Sequence, residues 1–327
     1  MQPISVLVTG GGGDIGRGLA KILRDLPYIR AVYGADLNPQ FPHEVLYDGF
    51  AHGVACDNPV YLTWLADTAA RFRVDLVIPM AEPEIRFFAE RGMTQVPPMG
   101  SETPPEAEGT AGVPLLLPSS EVMRIGFSKL ATAEWLAGRG LPFPWTVRAD
   151  EAAPQELPCI MKSDHGSGSK ALHLVTRDNL AELSRHAAGM IYQELLLPDE
   201  SEHTCGVFRS RAGQTQTVTF RRVLAGGRTG FGQVVSVPAI DNLLAEFARD
   251  IGLVGSVNVQ LRLTDRGPVI FEINPRFSST VVFRHLLGFR DVDWAIRDHF
   301  GALEAPTFDV QAVCGKRIFR ADAEIIY

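Results

Sequence analysis

Two short apolar strands with a turn between them make up segment 256–280, and they limit the fold more than any other feature. Residues 257–263 alternate side chains as a strand does, and residues 269–274 predict the second strand. Side chains two residues apart on a strand point the same way. Glu272 and Asn274 therefore share one face of the second strand. The segment predicts a β-hairpin with one polar face.

The polar face of this hairpin carries oxygen-bearing side chains and one cation. Gln260 on the first strand is expected to face Glu272 and Asn274, with Arg276 two residues further on. Carboxylate and amide oxygens are hard ligands of the kind that Mg²⁺ prefers. The planar fork of an arginine matches a phosphate or acyl phosphate. The competing interpretation is that these side chains are only the solvent face of an antiparallel hairpin.

Length, charge and cysteine spacing limit the class of protein. The 327 residues suffice for two or three domains, and the hydrophobic fraction of 46% supports a large core. A net charge of −7 argues against non-specific nucleic-acid binding. No apolar run approaches the ~20 residues of a membrane span, and no secretory signal pattern opens the chain. Four widely spaced cysteines indicate reduced thiols, and we therefore expect a cytoplasmic protein. From the charge and the absence of long apolar runs, we expect neither nucleic-acid nor membrane partners.

The first third of the chain has the spacing of a dinucleotide-binding motif. A strand over residues 4–9 leads into a Gly-x-Gly-x-x-Gly pattern at residues 11–16 and a helix over residues 17–26. A second strand ends at Asp36, which supplies the expected acid. This pattern predicts an NAD-binding Rossmann domain. The alternative is that the glycines only permit a tight turn, since the doubly wound pattern stops after a third strand and no Tyr-x-x-x-Lys pair follows.

Two acids and a long irregular segment follow that third strand. Glu82 and Glu84 lie at the carboxyl end of the strand, where open α/β sheets bind ligands. They are expected to lie in a loop, where they line an acceptor pocket or face solvent. Residues 95–118 are rich in Pro, Gly, Glu and Thr, and they predict a linker that contains a domain boundary.

The middle of the chain combines two lysines with a glycine- and serine-rich loop. Lys162 ends a predicted strand, and residues 163–170 contain two glycines and three serines before the next strand begins. The backbone N–H groups of such a loop can cradle phosphates. Lys129 lies at the start of a predicted helix. It is a second candidate for phosphate binding, and the alternative is that it is an ordinary lysine at the start of a helix.

The motif at residues 272–276, Glu-Ile-Asn-Pro-Arg, and the loop at residues 163–170 resemble the ATP-grasp ligases, especially their carbamoyl-phosphate synthetase branch. The resemblance covers about residues 120–287 in motif detail and the amino-terminal third in architecture. It implies an α/β fold with a Rossmann-like domain followed by a two-lobed α+β ATP-grasp domain. The implied bounds are 1–110 for the first domain, 119–195 for the small lobe and 196–327 for the large lobe.

The resemblance also implies roles for individual residues. ATP is implied to bind Lys129, Lys162, Ser167, Gly168, Ser169, Gln193, Glu194, Leu195 and Glu202. A Mg²⁺ or Mn²⁺ ion is implied to bind Gln260, Glu272 and Asn274. The arginines implied to contact the transferring group or the substrate are Arg276, Arg222 and Arg284, the last from a helix over residues 281–287.

Three positions leave alternatives open. The family has an aspartate directly before the phosphate-binding lysine, where this chain has Ser128. Glu200 and Glu202 compete for the ribose, because the family's glycine before that acid is absent. Arg221 and Arg222 are adjacent on a strand and face opposite ways, so only one can reach the site, and we favour Arg222.

The implied activity is ATP-dependent ligation of a carboxylate and an amine through an acyl phosphate. The expected substrates are a small metabolite, an amino acid or a sugar acid. Carbamoyl phosphate synthesis is not expected, since the chain has room for one ATP-grasp unit only. The alternatives are an NAD-dependent sugar or alcohol enzyme and a catalytically idle ATP-binding regulatory module. A homodimer stays open.

Overall fold

The computed structural model describes residues 1–38, 40–98, 112–166, 172–225 and 228–321, which form a mixed α/β fold as predicted. The strands are β1 Ile4–Thr9, β2 Ile29–Asp36, β3 Gly49–His52, β4 Leu76–Pro79, β5 Gln95–Val96, β6 Val113–Pro114, β7 Thr146–Arg148, β8 Cys159–Ser163, β9 His173–Val175, β10 Met190–Glu194, β11 Glu202–Arg209, β12 Thr215–Ala225, β13 Arg228–Val235, β14 Gly255–Thr264, β15 Gly267–Asn274 and β16 Arg317–Phe319. The helices are α1 Asp14–Arg24, α2 Tyr61–Phe72, α3 Glu82–Glu90, α4 Ser120–Gly126, α5 Lys129–Gly138, α6 Leu180–Leu183, α7 Pro238–Asp250, α8 Val281–Leu286 and α9 Asp291–His299.

The amino-terminal strands form a parallel sheet in the order β3-β2-β1-β4. Alternation along β1 sends Val6 and Val8 to a core shared with α1, and Leu7 to a core shared with α2 and α3. Both faces are covered, which explains why β1 is apolar throughout. The segment around Glu82 was predicted as a loop, and that prediction is wrong, because α3 begins there.

The glycine loop after β1 is closed by side chains of the protein itself. The Asp36 carboxylate accepts a hydrogen bond from the Gly12 N–H at 2.8 Å. The Tyr47 hydroxyl donates to the Gly11 carbonyl at 2.8 Å. An added Cβ at Gly16 would lie 2.4 Å from the Gly10 carbonyl oxygen, so this glycine is required by close packing alone. The loop thus has a structural explanation that involves no dinucleotide.

The predicted linker is partly integrated into the fold. Strands β5 and β6 pair with each other, and Leu115 forms a bridge to Val77 on β4. The prediction of a free connection over residues 95–118 is therefore wrong for residues 95–98 and 112–118. Residues 99–111 of that segment lie outside the described part of the chain.

Two antiparallel sheets form the rest of the fold. The smaller has the order β7-β10-β8-β9, and the larger has the order β15-β14-β11-β12-β13-β16. Helices α4, α5 and α7 pack on one face of the larger sheet against Val257, Val259 and Ile273. Nowhere in the described ranges is there a helix with the length and apolar character needed to cross a bilayer.

The amino-terminal sheet and the larger antiparallel sheet share one hydrophobic core. It contains Leu19 and Leu23 from α1 together with Phe208 and Phe220 from the larger sheet, all fully buried. Gly18 lets α1 approach α8 closely, since an added Cβ there would lie 3.0 Å from a methyl carbon of Val282. This core fixes the carboxyl edge of the parallel sheet relative to the hairpin.

Arg284 does not point toward the polar face of the hairpin, and its predicted contact with bound anions is wrong. Its side chain is fully buried and pairs with Asp291 at 2.9 Å, and Asp291 also accepts a hydrogen bond from Ser256 at 2.6 Å. The guanidinium packs on Gly206, where an added Cβ would lie 2.6 Å from Arg284 Cδ. Arg284 is therefore a structural residue beneath the larger sheet.

Replacing Arg284 with methionine is expected to destabilise the protein by about 3–5 kcal/mol, because Asp291 keeps a buried charge without its partner. Urea unfolding followed by circular dichroism measures the free energy of unfolding. Arg290→Met is the matched control, since Arg290 is exposed on the same stretch of chain and its loss is expected to change stability by less than about 0.5 kcal/mol. Equal stability of both variants would contradict the buried ion pair.

Candidate functional site

A cavity of about 670 Å³ lies between the two antiparallel sheets, and we call it the inter-sheet cavity. It brings together most of the residues that the sequence singled out. The predicted site residues that line it are Lys129, Lys162, Gln193, Glu194, Leu195, Glu202, Arg222, Gln260 and Glu272. The predicted loop residues Ser167, Gly168 and Ser169 lie outside the described residues.

The hairpin has the predicted register but contains a β-bulge. Gln260 lies directly opposite Glu272, while Leu261 pairs with Ile270, so Phe271 is an extra residue on β15. Phe271 lines the inter-sheet cavity beside Glu272, whereas Ile270 and Ile273 are buried in the core. Regular alternation along β15 would place Phe271 on the buried face with Ile273, but the bulge interrupts that alternation.

Lys162 projects from the end of β8 toward the hairpin. Its ammonium nitrogen lies 5.3 Å from the centre of the Phe271 ring. Burial lowers the pKa of Lys162 from its usual 10.5 to about 8, although the nearby Glu272 carboxylate opposes this shift. Lys162 therefore remains mostly charged at neutral pH, with a weakened hold on its proton.

Lys129 is held at the start of α5 by the loop after β8. Its ammonium group donates to the carbonyls of Asp164 at 3.2 Å and Gly166 at 2.9 Å. Ser128 caps the helix and donates to the Asp164 carboxylate, which also accepts the Leu130 N–H at 2.9 Å. The carboxylate missing from position 128 is thus replaced at the helix start by that of Asp164.

Glu202 lies between two arginines on the floor of the cavity. It pairs with Arg222 at 2.7 Å and with Arg262 at 3.3 Å, and Arg222 also donates to the Gln260 side-chain carbonyl at 2.9 Å. Glu200 is exposed and does not line the cavity, so Glu202 is the acid that remains a candidate for ribose binding. Arg221 is also exposed, and it bonds to Gln233 at 3.3 Å on the outer part of the sheet.

The segment after β10 forms one end of the cavity. The Gln193 amide is buried and donates to the Thr146 hydroxyl at 3.1 Å. Glu194 is tied to Arg266 at 2.5 Å, which fixes the direction of the chain before Leu195. Three apolar side chains at this cavity are about half exposed to water. They are Leu172 and Leu174 from the β9 segment and Leu224 from β12.

Arg276 and Asn274 lie at a narrow opening that we call the neck. The neck has a volume of only about 10 Å³, and its lining includes Lys129, Gly166 and Glu272. Asn274 is buried and donates to Glu272 at 3.0 Å. Burial lowers the pKa of Arg276, and Glu82 and Glu272 oppose this with their negative charge.

A second cavity of about 750 Å³ opens on the other side of the neck, and we call it the α3 cavity. Glu82, Arg86 and Phe87 line it from α3, with Arg276 at its inner end. Glu84 faces the opposite direction and is buried, with hydrogen bonds from Thr9 and Tyr61. Burial raises the pKa of Glu84 to about 7. Glu82 therefore lines a cavity, and Glu84 does not.

The oxygen atoms of the hairpin suit a metal ion that is already bound to phosphates better than a metal ion that is bound by the protein alone. No group of three or more His, Cys, Asp or Glu side chains suited to a metal occurs within the described ranges. Glu272 supplies one carboxylate to the cavity, whereas the Gln260 carbonyl is held by Arg222. Mg²⁺ commonly takes one or two carboxylates and completes its shell with phosphate oxygens and water. The donor set matches that pattern.

Sequence reasoning missed several residues of these cavities. Arg262 lies two residues after Gln260, so the same strand alternation identifies it as a cavity residue. His165 lines both cavities and its ring nitrogen lies 2.9 Å from the Phe127 carbonyl oxygen. No spacing rule assigns His165, because it lies in an irregular loop.

Comparisons with known proteins agree with this geometry. Residues 127–280 match the family model described as the ATP-grasp domain. A comparison with curated proteins gives no match. The solved structures with similar folds include N5-carboxyaminoimidazole ribonucleotide synthetase in complex with ADP, with a TM-score of 0.68 and 17% identity over 91% of this chain and 77% of that one.

Two further solved structures also have a fold similar to that of this chain. The biotin carboxylase domain dimer of Hydrogenobacter thermophilus 2-oxoglutarate carboxylase, solved with MgADP, ADP and bicarbonate, has a TM-score of 0.69 and 14% identity over 96% of this chain and 73% of that one. An L-amino acid ligase from Bacillus licheniformis has a TM-score of 0.69 and 16% identity over 96% of this chain and 78% of that one. At these identities the likeness concerns the fold, and it includes the amino-terminal sheet.

The pKa of Lys162 can be measured directly by carbon-13 reductive methylation and an NMR titration. A value of about 8 is expected, so that the ammonium form is lost as the pH rises through 8. Glu272→Gln is expected to lower the pKa further, since a carboxylate that favours the charged lysine is removed. Asp265→Asn, an exposed acid in the turn of the same hairpin, is the control and leaves the value unchanged. A wild-type value near 10.5 would contradict the burial of Lys162.

Proposed function

Since the chain carries an ATP-grasp domain over residues 127–280, we propose that it is an ATP-dependent carboxylate–amine ligase. The observation that supports this most is a pair of cavities that each share lining residues with the neck. Lys129, Lys162 and Glu272 line the inter-sheet cavity, and Arg276 lies between it and the α3 cavity. A triphosphate in the first cavity therefore has its terminal phosphate next to a second compartment that is large enough for a small metabolite.

The proposed reaction has two steps. A carboxylate oxygen attacks the γ-phosphorus, the bond to the β,γ-bridging oxygen breaks, and ADP leaves with the electron pair. The amine nitrogen then attacks the carbonyl carbon of the acyl phosphate and loses one proton, and inorganic phosphate leaves with the electrons of the C–O bond. Neither step needs a nucleophilic side chain, so positioning and electrostatics are the contribution of the protein.

Individual residues supply these contributions. Lys129 and Lys162 bind phosphate oxygens, and Arg276 stabilises the charge on the group in transfer. Glu272, with Asn274 and Gln260 beside it, would hold the Mg²⁺ that accompanies ATP. The ion offsets the charge of the phosphates when it is bound. Arg222 is oriented by Glu202 and lines the same cavity, so we retain it as a substrate-facing residue.

The alternatives have less support. An NAD-dependent enzyme needs the glycine loop to accept a pyrophosphate, yet Asp36 and Tyr47 already bond to that loop. An idle regulatory module has no need for a second cavity beside the phosphate site. The solved structures of similar fold include enzymes named as a synthetase, a carboxylase and an amino acid ligase. Their names support a ligase without identifying the substrate.

The organisation of the chain follows from this proposal. We propose a Rossmann-like domain over residues 1–110, a small lobe over residues 119–195 and a large lobe over residues 196–327. We also propose a cytoplasmic location, since ATP and small metabolites are available there. A homodimer is compatible with the proposal, and one similar structure is named as a dimer.

Calorimetric titration with MgATP and with NADH tests the proposed function first. Binding of MgATP without binding of NADH is expected, because the inter-sheet cavity is open whereas the glycine loop is closed. Phosphate release in the presence of carboxylates and amines then separates an enzyme from an idle module. Binding of NADH alone would overturn the proposal, and so would MgATP binding with no turnover across a broad panel of substrates.

Replacing Glu272 with alanine is expected to lower ATP turnover by about a hundredfold or more, since the metal loses its carboxylate ligand. Folding is expected to be unchanged, because Glu272 lines a cavity. Asp265→Ala is the matched control in the same hairpin and is expected to keep wild-type turnover. Phosphate release and a thermal melt measure the two properties. Wild-type turnover in the Glu272 variant would rule out this metal site.

A further inference from the structure

The carboxylate of Glu82 lies at the neck, and in the described part of the chain only one of its two oxygens accepts hydrogen bonds. Glu82 Oε1 accepts hydrogen bonds from Arg86 at 3.1 Å and from the Gly166 N–H at 3.2 Å. Within the described residues, Glu82 Oε2 has no hydrogen-bond partner. The side chain is only 16% exposed, so this oxygen is largely sheltered from bulk water. A sheltered carboxylate oxygen is a strong acceptor for a cationic group.

A positive charge lines the same opening as this carboxylate. Arg276 and Glu82 both line the neck and the α3 cavity. Glu82 is the charged group that acts most strongly on the Arg276 guanidinium. That guanidinium also donates hydrogen bonds to the Phe277 carbonyl at 3.0 Å and to the Asn274 side-chain carbonyl at 3.4 Å. The neck therefore presents a cation and an anion at one opening, and both also line the larger α3 cavity.

The rest of the α3 cavity suits a side chain of moderate size. Ile15, Met80 and Phe87 provide apolar wall, and the cavity of about 750 Å³ exceeds the volume of a single amino acid. The Arg91 guanidinium lies 3.8 Å from the centre of the Phe87 ring, and Arg91 is exposed. Besides Glu82 and Arg276, the charged residues of the cavity lining are Arg86, Asp57, Glu90 and Arg91, of which the last three are exposed.

We propose that the α3 cavity binds a zwitterionic α-amino acid as the carboxylate substrate, an inference that rests on the proposed ligase function. Its carboxylate lies against Arg276 at the neck, where the terminal phosphate of ATP arrives. Its ammonium group binds Glu82 Oε2. One carbon separates the two charges of an α-amino acid, which matches two opposite charges within a single narrow opening.

Glu82 also prevents an unwanted reaction. A free α-amine is a nucleophile that competes for the acyl phosphate, whereas an ammonium group is not. A carboxylate in contact with the ammonium raises the pKa of that group and keeps it protonated. The amine that forms the new bond then comes from the second substrate, and the α-ammonium of the first substrate is retained in the product.

Hydroxylamine provides the test, because it attacks an acyl phosphate to give a hydroxamate that iron(III) reveals by colour. The full chain is supplied with MgATP, hydroxylamine and pairs of acids that differ only in the amino group. Suitable pairs are leucine with 4-methylpentanoate, phenylalanine with 3-phenylpropanoate, and glutamate with glutarate. For at least one pair, we expect kcat/KM of the amino acid to exceed that of its partner by at least about tenfold.

Glu82→Gln separates recognition of the ammonium from binding of ATP. The amide keeps an oxygen for Arg86 and Gly166 but loses the charge, so KM for the amino acid is expected to rise about tenfold or more. KM for ATP is expected to stay within about twofold. Glu246→Gln, an exposed acid on α7, is the control and keeps both values.

Three results would overturn the inference. Equal use of an amino acid and its deaminated partner would exclude recognition of the ammonium, and the ligase function would stand. An unchanged KM for the amino acid in Glu82→Gln would remove Glu82 from that role. Absence of hydroxamate and of phosphate release with every acid would overturn the proposed ligase function as well, so the two failures are distinguishable.

Discussion

The candidate site depends on the core that joins the amino-terminal sheet to the larger antiparallel sheet. Helix α1 packs on α8 through Gly18, and aromatic residues of the larger sheet continue the same core. Close packing of this kind resists small displacements, because each shift opens voids or creates overlaps. The neck combines Glu82 from one side of this contact with Arg276 from the other. Its geometry therefore depends on apolar packing outside the neck as well as on the residues that line it.

Charges in the inter-sheet cavity are arranged before any ligand is bound. Glu202 orients Arg222 and Arg262, while backbone carbonyls hold the ammonium group of Lys129. Groups fixed in this way do not have to reorganise when a polyanion enters. Lys162 differs, because burial weakens its hold on a proton. An entering phosphate supplies the negative charge that favours its charged form.

The sequence predicted the elements with clear periodicity and the residues placed on them. The hairpin register follows from strand alternation, and the ends of β1 agree with the predicted bounds. The resemblance to the ATP-grasp family is confirmed by the match to the ATP-grasp domain over residues 127–280, whereas the carbamoyl-phosphate synthetase branch stays a prediction. Individual site assignments remain predictions.

The remaining features depend on contacts that no local pattern contains. The bulge at Phe271 results from the pairing of two strands, and the direction of Arg284 depends on Asp291 and Gly206 beneath the sheet. Helix α3 was missed because Glu82 and a following proline resemble a loop, although proline is well tolerated in the first turn of a helix. Asp164 takes the place of an acid expected at position 128 only because the chain folds back on the start of α5.

The half-exposed leucines of the inter-sheet cavity have a thermodynamic consequence. Leu172 and Leu174 come from one sheet and Leu224 from the other, so a flat ring inserted between them removes apolar surface from water on two sides. Burial of such surface gives association a negative heat-capacity change. The enthalpy of association then becomes more favourable as the temperature rises, while the entropy becomes less favourable. Affinity consequently changes far less with temperature than either of its components.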